Sequence, residues 1–170
     1  MLETLEIRRL LPGSPHLTLV AKWQYEQWGN LSPKTSQEAW QEELLRECSF
    51  DGIPAVLLAL VKGYPVATAS LVEADMETRR ELSPWLASVY VLPEWRGQGV
   101  ASRLVRKVEC EAQSMGITRL YLFTPDQQAL YHRLGWKDKE TLDYQGVSVS
   151  ILTREFASRR GQSVSDTKYI

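Results

Sequence analysis

One hexapeptide in mid-chain, Arg96-Gly97-Gln98-Gly99-Val100-Ala101, constrains the fold more than any other stretch. The apolar run before it, Leu86-Ala87-Ser88-Val89-Tyr90-Val91, predicts a strand. After it, Val100, Leu104, Val105, Val108, Ala112 and Met115 recur at helical spacing. Two glycines therefore stand where a strand hands over to a helix. The first N–H groups of a helix have no partner inside it. Aligned peptide dipoles leave roughly half a positive charge at that end. Glycines let a bulky anion approach the backbone closely. The junction suits a phosphate-bearing ligand.

The length of 170 residues suits one domain with a substantial core. We expect that domain over residues 1–156 and a polar tail over 157–170, which carries Arg159-Arg160-Gly161. A net charge of −1 speaks against a nucleic-acid surface, which needs a basic excess. No apolar run reaches the ~20 residues that span a bilayer. The start, Met1-Leu2-Glu3-Thr4-Leu5-Glu6, lacks the basic and apolar pattern of a secretory signal. Cys48 and Cys110 are too few for a disulfide framework, and both fall in helical patterns as buried structural thiols. His16 and His132 lie far apart without ligand-like neighbours, so no metal site is expected. These features fit a cytoplasmic protein.

The pattern predicts strands over 5–11, 55–61, 65–73, 86–91, 118–123, 136–142 and 147–153. Helices are predicted over 14–28, from a Thr35-Ser36-Gln37-Glu38 capping box past Trp40, Leu44 and Cys48, from Val100 to Met115, and from Thr124-Pro125-Asp126-Gln127 to Gly135. Lys62-Gly63-Tyr64 and 143–146 are hairpin connections, 74–84 is a polar loop, and Gly116 caps the helix before it. Seven strands and four helices in this order make a mixed α/β (α+β) chain.

Two segments carry a family likeness. Val89-Tyr90-Val91-x-Pro93-x-x-Arg96-Gly97-x-Gly99-Val100-Ala101 resembles the pyrophosphate turn of the GCN5-related N-acetyltransferases (GNAT). Ala129-Leu130-Tyr131-His132-Arg133-Leu134-Gly135-Trp136 is similar to that family's late helix and following strand. The resemblance covers roughly residues 5–155. It implies a mixed central sheet of seven strands whose two central strands splay, flanked by four helices. It implies acetyl-CoA as co-substrate, no metal, and direct transfer of acetyl to a primary amine of a small molecule or a peptide N-terminus. From charge and hydropathy we expect no nucleic-acid or membrane partner, and we expect a monomer or homodimer.

The resemblance also assigns residues. Val89, Tyr90 and Val91 would pair through their main chain with the pantetheine arm, and the amide of Val91 would polarise the thioester carbonyl. The amides of Gly97, Gln98, Gly99, Val100, Ala101 and Ser102 would hold the diphosphate, with Arg96 either packed over the turn or touching the ligand. Tyr131 falls at the general-acid position, and a phenol is protonated at neutral pH. The general base is open between Glu26, Glu73, Asp75 and a water on main-chain carbonyls. Where the family often has an asparagine after the strand preceding the late helix, this chain has Thr124-Pro125-Asp126, and Thr124 is the substitute polar contact. Tyr25, Trp28, Arg79, Trp85 and Tyr144 are candidates for the acceptor side.

Two other functions compete. A non-catalytic acyl-CoA-binding module is favoured by the lack of an acid in residues 86–91 and opposed by Tyr131. A dinucleotide-binding domain would put its glycines after the first strand, with an acid about 20 residues on; here the turn follows four predicted strands.

Overall fold

A computed structural model describes residues 4–31 and 36–157. Seven strands and four α-helices are found among them, the α/β content that the sequence predicts. The chain divides into two compact units, Met1–Val108 and Glu109–Ile170.

In the first unit, β1 (Leu5–Arg9), β2 (Ala55–Val61), β3 (Tyr64–Val72) and β4 (Trp85–Val91) pair antiparallel in that order. β2 and β3 carry near-continuous apolar runs, and Ala55–Leu60 and Val66–Val72 are buried on both faces. Each buried leucine of β2 contributes roughly 1.5–3 kcal/mol over an exposed one. Helices α1 (Leu17–Trp28) and α2 (Gln37–Glu47) cover one sheet face. Leu17, Val20, Ala21 and Trp23 of α1 pack there with Leu44, Cys48, Val56, Leu58 and Leu60.

Local chemistry moves several boundaries. α1 starts three residues after the predicted Ser14, whose hydroxyl instead accepts from the amide of His16 at 3.1 Å. The cap of α2 is Ser36, accepting from Ala39 N at 3.1 Å, whereas Thr35 lies outside the described residues. The β2–β3 connection tightens to Lys62-Gly63, with φ 52° and 83°, which matches the twist of a two-residue hairpin. Tyr64 therefore opens β3.

Between Tyr90 and Ala87 of β4, the partners on β3 are Thr68 and Ser70, so three steps on one strand face two on the other. The extra residue is a bulge, and Ser88 adopts φ 54° there.

In the second unit, β5 (Arg119–Thr124), β7 (Val147–Glu155) and β6 (Lys137–Tyr144) pair antiparallel, β7 in the middle. α4 spans Gln128–Arg133. The predicted cap Thr124 is instead the last residue of β5; its hydroxyl accepts from Gln127 N at 3.0 Å and holds the turn, so Pro125 precedes the helix. Gly116 and Gly135 end their helices as predicted. Trp136 Nε1 donates to the buried carboxylate of Glu109 at 3.0 Å.

Helix α3 (Val100–Ser114) buries Val100, Leu104, Val105, Val108 and Ala112. Cys110 corrects the expectation of two buried thiols: it is exposed, because two residues past Val108 is the opposite side of a helix. Cys48 is buried, which pushes its thiol up to about 11, with the charge of Glu47 adding. The tail from 158 lies outside the described residues.

Candidate functional site

After β4, Pro93–Trp95 forms a single 3₁₀ turn and Arg96 returns to an extended conformation. Gly97 and Gly99 then take φ +75° and +82°. Those values disfavour any residue with a Cβ, although a Cβ at either position would meet nothing within 4 Å. The glycines are therefore required by the backbone path and not by neighbouring protein atoms. Arg103 is the first residue of α3 to return its N–H, to Gly99 O at 3.1 Å. None of the amides from Gly97 to Ser102 meets a protein acceptor among the described residues. Gln98 turns its own amide back onto Glu94 O at 3.1 Å, leaving the turn's outer surface to the backbone.

The strand feeding this turn presents its main chain in a defined way. Leu92 N donates to Val66 O at 2.9 Å, so Leu92 and Val66 form a hydrogen-bonded pair. Such pairs alternate along an antiparallel ladder, so Val91, opposite Ala67, turns its N–H and C=O away from β3. The carbonyl of Val91 is taken by Arg96, whose Nε donates to it at 2.8 Å. The guanidinium carbon lies 5.6 Å from the centre of the Tyr90 ring. Tyr90 in turn lies against Trp23 at 5.7 Å and edge-on to Trp28 at 6.3 Å.

The other sequence candidates have distinct settings. Val89 is half-buried beside the bulge. Tyr25 is half-buried and edge-on to Trp40 at 6.3 Å. Arg79 donates to Thr78 O at 2.7 Å. Tyr144, in the second unit, sits edge-on to Phe123 at 5.5 Å. Trp85 corrects its assignment to the acceptor side: it is 0% exposed, with Nε1 donating to Leu82 O at 2.7 Å. A tryptophan opening a strand under a loop is a core anchor.

Among the base candidates, Glu26 is exposed and lies 3.9 Å from Lys22, and Glu73 is exposed. Asp75 differs. Burial, with the charge of Glu47 adding, pushes its carboxyl up to about 8. Thr124 is buried, with its oxygen already accepting from Gln127 N. Tyr131 is 6% exposed with its ring 6.0 Å from that of Trp136, and burial pushes its phenol up to about 12. It holds its proton throughout the neutral range.

Three features escape the sequence reading. They are the bulge at Ser88, the bond from Arg96 to Val91 and the desolvation of Asp75. Only the lone serine inside an apolar strand hints at the first. Among the described residues no cluster of three or more His, Cys, Asp or Glu is placed to hold a metal ion, and no helix is long and apolar enough to cross a membrane.

Comparison with known proteins follows the same lines. The family model described as "Acetyltransferase (GNAT) family" matches residues 17–136. Among solved structures, an acetyltransferase of the GNAT family from Streptococcus pneumoniae is similar with a TM-score of 0.67 at 18% identity, covering 90% of this chain and 99% of that one. A GNAT family acetyltransferase from Elizabethkingia anophelis with acetyl-CoA bound gives 0.62 at 16% identity, covering 91% and 99%. The PaiA N-acetyltransferase from Thermoplasma acidophilum in complex with coenzyme A gives 0.62 at 20% identity, covering 89% and 99%. None of the curated proteins matches the chain.

Proposed function

The chain belongs to the acetyltransferase (GNAT) family, and from that premise we propose that it moves an acetyl group from acetyl-CoA directly to a primary amine, of a small molecule or a peptide N-terminus. One observation carries the reading: a run of amides from Gly97 to Ser102 that no protein acceptor meets. A diphosphate fits such a run, because it needs several N–H donors converging without side chains between them. The two similar structures that hold acetyl-CoA or coenzyme A support the choice of ligand.

Acetyl-CoA supplies an activated thioester when bound. The turn amides would then hold its diphosphate, and the main chain at Val89 and Val91 would orient the arm, with the amide of Val91 facing away from β3 to polarise a carbonyl, while Tyr90, opposite Thr68, turns its own N–H and C=O to β3. Tyr131, protonated at neutral pH, gives its proton to the departing sulfur as general acid. The attacking amine's proton passes to a base drawn from Asp75, Glu26, Glu73 and a water on main-chain carbonyls; burial, with the charge of Glu47 adding, pushes the carboxyl of Asp75 up to about 8. Orientation and carbonyl polarisation supply most of the acceleration.

The test is a thiol-release assay with acetyl-CoA across a panel of primary amines, run beside calorimetry with coenzyme A. Transfer expects both binding and amine-dependent release. Binding without release from any amine would make the chain an acyl-CoA-binding module, and no binding would remove the ligand altogether.

A further inference from the structure

Arg96 is exposed, yet its side chain is anchored at two points. Nε donates to Val91 O at 2.8 Å, and the guanidinium lies over Tyr90 at 5.6 Å. Val91 and Arg96 bracket a short stretch whose only other internal ties are Trp95 N to Leu92 O at 2.9 Å and Arg96 N to Pro93 O at 3.2 Å. The side-chain bond therefore closes a ring from the end of β4 to the residue just before Gly97. Beyond that residue two glycines in the left-handed region would otherwise swing the amide row freely.

Resting on the acetyl-CoA reading above, we propose that Arg96 is a positioning residue for the cofactor turn. It ties the turn to β4 through the Val91 carbonyl, so that the amides of 97–102 are already aimed before a ligand arrives. Its charge is not what matters; the donor at the Nε position is. Fixing a segment in advance spares the ligand the ordering entropy. The bond also removes the Val91 carbonyl from the outward edge of β4. A ligand running along that edge meets the Val91 N–H there and not its C=O.

Side-chain topology separates this role from a phosphate contact. In glutamine, Nε2 stands at the same place along the side chain as Nε in arginine, so Arg96→Gln keeps a donor for Val91 O and loses the charge. In lysine that place is a methylene, so Arg96→Lys keeps the charge and loses the donor. The full-length wild type and both variants are titrated with coenzyme A by calorimetry, below the melting transitions of all three unliganded proteins.

Positioning expects Arg96→Gln to stay within about threefold of the wild type, while Arg96→Lys weakens binding by about tenfold or more. Lysine should also leave the dependence of affinity on salt unchanged, since the charge is kept. Lysine matching the wild type, both variants matching it, or glutamine falling as far as lysine would each overturn the proposal. A wild type that binds no coenzyme A would instead strike the acetyl-CoA reading beneath it.

Discussion

At its Val91 end, β4 leaves a row of amides open and ties the turn that bears them with one exposed arginine. At its Trp85 end the same strand is sealed. Trp85 is fully buried with its indole N–H spent on Leu82 O. Val72 pairs with Trp85, while Ala67 pairs with Val91, so the two ends lie about 20 Å apart at the usual strand rise. The open end is specified by backbone angles that two glycines permit. The sealed end is specified by burial, which depends on segments far away in sequence. Binding groups sit where the chain refuses to close on itself.

Breaking the open end has the largest expected effect. Gly99→Val forces a β-branched residue into φ +82° and should weaken coenzyme A binding by roughly 10³-fold while the free protein still melts cooperatively. Affinity within about threefold of the wild type would remove the turn from the site.

Trp85→Ala is the counterpart at the sealed end and should cost about 3–5 kcal/mol of stability in denaturant titrations. Survival with an unchanged midpoint would show that the end is not sealed by this side chain.

Tyr131 belongs to neither end and tests chemistry apart from binding. Tyr131→Phe should lower turnover about 10²-fold and leave coenzyme A affinity unaltered. Because burial pushes the phenol up to about 12, its ionisation should add no limb to the pH–rate profile below pH ~11.

Asp75 responds to pH. The folded protein holds a proton on Asp75 up to about 8, whereas the unfolded chain releases it near 3.8. The unfolded state is thus favoured progressively as pH rises through that interval, and the stability that Asp75 contributes at pH 3 is lost by pH 8. Asp75→Asn cannot ionise, so its melting temperature relative to the wild type should climb by several degrees between pH 4 and pH 8. A difference that stays flat would contradict the desolvated carboxyl.

The turn was legible because glycines, strand composition and helical periodicity act within a few residues of one another. Both hairpin turns were placed within two residues for the same reason. Errors fell where local signals compete. Ser14 and Thr124 are both good capping residues, but the first holds a turn before its helix and the second closes the turn after a strand. Trp85 and Cys110 were misassigned because residue type does not reveal exposure.

By itself, then, the sequence determined the order of strands and helices, the glycine junction and membership of the acetyltransferase family, all of which follow from patterns of residue type and backbone preference. Only the tertiary structure decided that Arg96 reaches back to Val91, that Ser88 bulges out of β4, and that the carboxyl of Asp75 is pushed up. Those outcomes depend on desolvation and on which atoms end up within about 3 Å of one another, and neither is set until distant segments have packed.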